Sequence, residues 1–143
     1  MVFGLIYYCY CSGGTGQVNE ARIPGCSDST IPCKMKKGSQ ASIEFDFTPS
    51  DDTTHVSSSL SAIIMGIETP APKESFDTDA CKFIKGAQNC ALKKNVKYTY
   101  SYTMTVPNIK EIGNLKTEFR FRVKDAKDGV IVCFGFPVQL LDP

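Results

Sequence analysis

Apolar and polar residues alternate one by one along most of this chain. In residues 39–49, SQASIEFDFTP, Ala41, Ile43, Phe45 and Phe47 alternate with Ser42, Glu44 and Asp46. In residues 95–107, NVKYTYSYTMTVP, Val96, Tyr98, Tyr100, Tyr102, Met104 and Val106 alternate with lysine, threonine and serine. Residues 114–125, NLKTEFRFRVKD, set Leu115, Phe119, Phe121 and Val123 against Lys116, Glu118, Arg120, Arg122 and Lys124. Residues 129–141, GVIVCFGFPVQLL, place Val130, Val132, Phe134, Phe136 and Val138 on one face. A period of two is the signature of a strand buried on one side. SLSAIIMGIE, residues 59–68, reads as a further strand, apolar on both faces around Ile63–Ile67, and residues 2–11 as another.

No stretch of about a dozen residues carries a helical stripe. DAKDGV is a turn in which Asp128-Gly129 supplies the positive φ of a hairpin, so the strands on either side pair antiparallel. TPAPKESFDTDA and GCSDSTIPC are loops by their Pro, Ser and Asp content. About six or seven strands with one apolar face predict an all-β, immunoglobulin-like β-sandwich of two antiparallel sheets. No repeat or linker divides the chain, so residues 1–143 are expected to form one domain. A chain of that length buries roughly two-thirds of its unfolded surface.

A formal net charge of +1 gives no field to draw the chain to nucleic acid. No apolar run approaches the roughly 18–20 residues of a membrane span. Seven cysteines, without a C-x-x-C spacing and with His55 as the one histidine, fit no Cys/His metal pattern. They fit disulfides in an oxidising compartment, outside the cell or in a lysosomal lumen. Residues 2–10 lack the positive start and small-residue exit of a signal peptide. A leader is therefore expected beyond this sequence, or cut short within it. There is no N-x-[ST] sequon.

The opening YCYCSGGTG lacks the G-x-G-x-x-G spacing, the Lys-Ser/Thr pair and the following helix of a phosphate loop. It reads as a strand ending at Cys11, then a turn at Gly13-Gly14. Cys9 and Cys11 point the same way in an extended strand. Seven cysteines allow about a hundred three-bridge pairings, so these grounds leave the pairing open.

Three stretches taken together carry a resemblance: CSGGTGQVNEARIPGCSDSTIPCKMKKG, DACKFIKGAQNCALKKNVKYTYSYTMTVPNIK and VIVCFGFPVQL. Their cysteine order, the CAL element followed by lysine and YTYSY, and the closing CFGFPV resemble the ML (lipid-recognition) family from about Ile6 to Leu140. That family includes the Niemann-Pick type C cholesterol-transfer proteins, the mite group two allergens and other arthropod secreted carriers. The resemblance implies the disulfides Cys11–Cys133, Cys26–Cys33 and Cys81–Cys90, with Cys9 left over. It also implies one lipid held between the two sheets, with no cofactor, metal or catalytic group.

The inward set for such a cavity is Ile43, Phe45, Leu60, Ile64, Tyr100, Met104, Val106, Phe119, Phe134 and Phe136. Ile67, Pro70 and Pro72, with Ile109 and Ile112, would ring its mouth. Sterol carriers of the family have a Phe in the Pro-rich loop where this chain has Ala71. They have a Tyr-Pro where Lys110 and Glu111 stand, and tryptophans in place of Phe119 and Phe134. These differences favour a fatty acid, or another elongated lipid or semiochemical, over a sterol.

The resemblance thus implies a secreted carrier that binds a hydrophobic ligand and transfers it, with a membrane or a receptor as transient partner. Some relatives present bacterial lipid to a receptor, and an innate-immune adaptor is the alternative. Arg120, Arg122 and Lys124, and Lys34, Lys36 and Lys37 of CKMKKG, read as solvated charges, with contact to anionic membrane as their functional alternative. Lys110 is placed to pair with a lipid carboxylate. Asp46, Asp51, Asp52 and His55 share no catalytic or metal-binding spacing, and there is no G-x-S-x-G elbow, so no enzyme is expected. A completely filled core competes with the cavity, because the same alternation serves both.

Overall fold

The computed structural model describes residues 9–10, 14–23, 26, 33–72, 76–86, 90–108 and 115–142. Among them the strands are β1 (Cys9–Tyr10), β2 (Gln17–Arg22), β3 (Cys33–Lys36), β4 (Gln40–Thr48), β5 (Ser57–Ile64), β6 (Ile67–Pro70), β7 (Ile84–Lys85), β8 (Tyr98–Thr105), β9 (Leu115–Lys124) and β10 (Val130–Leu141). A 3-10 turn, Ala80–Phe83, precedes β7. None of the described helices is long and apolar enough to cross a membrane.

One sheet runs β1-β10-β9-β5-β6, with β3 also on β10; the other runs β2-β4-β8-β7. This is the expected two-sheet sandwich, and four of its five longest strands, β4, β8, β9 and β10, are the segments with the cleanest alternation. One pairing departs from the antiparallel rule. β3 lies parallel to β10, from Cys33 opposite Val138 to Lys36 opposite Leu141. A parallel partner arrives from a distant segment, so no local pattern announces it.

Residues 57–70 form a hairpin rather than the single strand expected of SLSAIIMGIE. Ile64 pairs with Ile67, and Met65 and Gly66 take φ of 53° and 80°. Two consecutive positive φ values make the tight turn whose twist matches that of the strands. Methionine in place of the usual asparagine or aspartate hid it. In the β9–β10 turn, as expected, Asp128 carries a positive φ of 67°. There Asp125 Oδ1 accepts the N–H groups of Lys127 and Gly129 at 2.9 and 2.8 Å.

At the middle of the sandwich Phe45 and Tyr100 from one sheet meet Phe121 and Phe134 from the other, all fully buried. Their ring centroids lie 4.9–5.9 Å apart. Such aromatic pairs contribute roughly 0.5–1.5 kcal/mol each beyond their buried area. The Tyr100 hydroxyl meets Ser58 Oγ at 3.3 Å, which satisfies the one polar atom of the cluster. Burial pushes that phenol well above its ordinary pKa.

Cys26 bonds Cys33, and Cys81 bonds Cys90, as the family resemblance implies. Cys133 is also disulfide-bonded; its expected partner, Cys11, lies outside the described residues.

The outer faces are laced by ion pairs. Arg22 of β2 holds Glu20, Glu44 and Asp46 at 2.9, 2.7 and 2.9 Å. The hydrogen bond from Arg22 is the chief cause that holds the Asp46 carboxyl below its usual range. Lys37 corrects an expectation: its side chain is 1% exposed, not solvated, and its Nζ donates to Asp142 at 2.9 Å. Its backbone N–H donates to Leu141, which ties the β3–β4 turn to the end of β10.

Candidate ligand site between the sheets

The sheets mesh unevenly. From the aromatic cluster, β4, β5, β8, β9 and β10 run on to the end of the sandwich that holds Pro70, Pro72 and Pro107. There, among the described residues, two small voids lie between the sheets. One, of about 10 Å³, lies between Ala41, Ile43 and Met104 of one sheet and Leu60, Phe119 and Phe136 of the other. The second, of about 30 Å³, lies under Pro70, Ala71, Pro72 and Pro107 and is floored by Ile64 and Leu140. Leu60 and Phe119 line both, so these two side chains are the partition between them. Among the described residues, no charged one lines either void.

These volumes hold about one and two water molecules. Sites for small organic ligands run to roughly 300–1,000 Å³. Among the described residues, the facing side chains around these two voids therefore interdigitate and leave little space between them.

The predicted cavity residues separate into groups. Ile43, Leu60, Ile64, Met104, Phe119 and Phe136 line one or both voids. Phe45, Tyr100 and Phe134 line neither and fill the aromatic cluster. Val106 is fully buried, with its N–H donating to Ser39 and its C=O accepting from Gly38, both at 2.8 Å; it braces the β3–β4 turn. Ile67 is 68% exposed beside Met65, which is 92% exposed, at the tip of the β5–β6 hairpin. Ile109, Lys110 and Ile112 lie outside the described residues. Pro70 and Pro72 border the outer void. The inner void also touches Ile23 and Met35, which no alternation singled out. Ile23 follows the mostly polar β2, and Met35 sits between two lysines.

The hairpin that overhangs the outer void is latched to the sheet. Glu68 of β6 accepts from Ser61 at 2.9 Å, from Arg120 at 3.0 Å, and from Arg122. Arg122 is the main cause that holds the Glu68 carboxyl down to about 2. Arg120 also bonds Glu118 at 2.6 Å. The two arginines are thus engaged by carboxylates rather than simply solvated.

The acidic residues near His55 do not assemble into a site. Asp46 belongs to the Arg22 network, and Asp52 accepts the N–H of Lys94 at 2.8 Å. His55 Nδ1 lies 3.5 and 3.6 Å from the sulfurs of Cys81 and Cys90. These three have the spacing of metal ligands, but the two sulfurs are bonded to each other. A disulfide offers no thiolate for a metal.

The family model of the ML domain matches residues 6–140. The NPC intracellular cholesterol transporter 2 of Sus scrofa is 28% identical over 135 residues, covering 94% of this chain and 85% of that protein. The mite group 2 allergen Gly d 2.02 of Glycyphagus domesticus is 32% identical over 127 residues, covering 89% and 93%. A crystal structure of a Niemann-Pick type C2 protein from Japanese carpenter ant superposes with a TM-score of 0.78 at 26% identity, covering 98% of this chain and 99% of that one. With the family model matched over nearly its whole length, the chain belongs to the ML domain family.

Proposed function

We propose that this chain is a lipid carrier. It takes one hydrophobic ligand, of the fatty-acid or other elongated type, into the loosely packed end of the sandwich, and releases it to a membrane or another carrier. The observation that carries this reading is continuity: two uncharged voids share a wall made of two side chains, Leu60 and Phe119. Rotation of those side chains joins the voids into one apolar gap, from Ile43 and Met104 to Ala71 and Pro107. Binding then requires the sheets to part at this end, while the aromatic cluster keeps the middle closed. Each methylene taken from water contributes roughly 0.8 kcal/mol toward that opening. No catalytic group takes part.

The relatives support the ligand class, since the Sus scrofa protein is a cholesterol transporter by name. The disulfides suit a secreted or lumenal site of action, and the exposed Met65 and Ile67 suit brief contact with a membrane. Displacement of a fluorescent fatty-acid probe by unlabelled lipids tests the reading. Micromolar displacement is expected, with lipid recovered by extraction of protein from its natural source. An absence of both would leave a sandwich with a filled core and no carrier.

A further inference from the structure

The inner void has a second neighbour. On the edge of the sandwich away from β6, a cleft of about 350 Å³ lies between β3 and the start of β4. Ile23, Met35, Ala41 and Ser42 line both this cleft and the inner void, so the two adjoin. Their shared wall is mostly apolar, but the cleft itself is not. The ladder between β2 and β4 ends at Arg22 opposite Glu44, so residues 40–43 have a strand partner on the β8 side only among the described residues. β3 is likewise paired on one side, to β10. Two half-paired strand edges thus bound the cleft and present backbone donors and acceptors to it.

Among the described residues, Lys34 and Lys36 are the only charged ones that line the cleft. Both are exposed, and neither makes an ion pair among the described residues. Lys37 beside them is different, since it is bound to Asp142. The carboxylate of Glu44, the next acid along β4, accepts from Arg22 at 3.1 and 2.7 Å on the outer face. From β3 to β5 the sheet is three strand spacings wide, roughly 14 Å. An acyl tail laid across it passes through the inner void and ends in the apolar outer one.

We propose that the β3–β4 cleft is the polar end of the lipid site, where Lys34 and Lys36 hold the carboxylate of a fatty acid whose tail reaches between the sheets. This rests on the carrier reading above. Such a ligand enters tail first from the β3–β4 edge, and its charge never crosses the apolar interior, where an unpaired carboxylate would be costly.

The test compares a long-chain fatty acid with the fatty alcohol of equal length, each displacing an uncharged fluorescent lipid from wild type and from the double variant K34Q/K36Q. The acid is expected to weaken about fivefold in the variant, as for a partly solvated pair of charge-assisted contacts, and the alcohol to bind unchanged. Acetate, the headgroup alone, is expected not to compete; competition by acetate would mark a free-anion site and overturn the proposal. In wild type, the acid but not the alcohol should protect Lys34 and Lys36 from acetylation, read by mass spectrometry. Equal affinity of the acid for wild type and variant, or protection of other lysines instead, overturns the headgroup assignment and leaves the carrier reading standing. Failure of both lipids to bind wild type removes the carrier reading itself.

Discussion

The proposed carrier mechanism turns on Phe119. This side chain is 3% exposed, lines both voids and meets Phe136 edge-on at 5.9 Å. Truncation to alanine in a packed core costs about 3–5 kcal/mol, partly for the lost transfer energy and partly for the space left behind. If the ring only fills a core, that loss is permanent. If it is a partition in the path of a ligand, the vacated space is space that a lipid occupies. The loss is then recovered in part on binding. Ligand at a hundredfold excess over its Kd stabilises a protein by about 2.7 kcal/mol. In Phe119→Ala the bound lipid no longer has to displace the ring, so lipid-induced stabilisation should exceed that of wild type by about 1–2 kcal/mol. That is a share of the 3–5 kcal/mol removed. The control is Phe134→Ala, a fully buried ring of the aromatic cluster that lines neither void. Chemical denaturation of the three proteins, with and without saturating fatty acid, measures both terms. Both variants should lose similar stability without lipid, and only Phe119→Ala should gain extra stability with it. Equal lipid-induced gains in the two variants would refute a partition at Phe119.

Three further outcomes follow from the ion pairs and turns. The Glu68 carboxyl is held at about 2 against an ordinary 4.5, so its contribution is complete above about 4.5 and lost as pH falls toward 2. Discounted for solvent at side chains 20–33% exposed, it amounts to about 1–2 kcal/mol. The stability gap between wild type and Glu68→Gln, read by urea denaturation, should close by that amount between pH 6 and pH 2.5. Arg22→Met leaves Glu20, Glu44 and Asp46 without their cation and should cost about 2–3 kcal/mol at pH 7. Because Arg22 holds the Asp46 carboxyl below its usual range, the penalty should shrink as pH falls through and below that range; a pH-independent penalty would contradict the network. Met65→Asn suits the positive φ of the hairpin turn and should raise stability by about 0.5 kcal/mol in a thermal melt.

The strands and their buried faces could be read from the chain because alternation is a local signal. β4, β8, β9 and β10 show it plainly, and they form the sandwich. β3 could not be read that way: four residues, two of them lysine, are held by a parallel partner about a hundred positions away. The Met65-Gly66 turn escaped notice because its first residue is not one that turns favour. Lys37 read as solvated because a lysine is rarely buried unless paired, and its partner Asp142 comes from the far end of the chain.

The candidate site was legible in a different and narrower sense. Alternation says which face of a strand is apolar, but not how far the facing sheet stands from it. Phe45 and Phe119 carry the same signal, yet Phe45 packs on three rings at 4.9–5.3 Å and Phe119 borders empty space. The difference lies in what surrounds each: Tyr100, Phe121 and Phe134 around one, and Leu60, Met104 and Ile43 near the other. Large flat rings fill the gap between sheets in the middle, whereas flexible aliphatic chains fill it loosely at the end. That contrast gives a physical reason for the sandwich to part at one end only. A lipid that parts it there displaces Leu60, Met104 and Phe119, which have voids beside them to move into, and leaves the aromatic cluster intact to hold the two sheets in register.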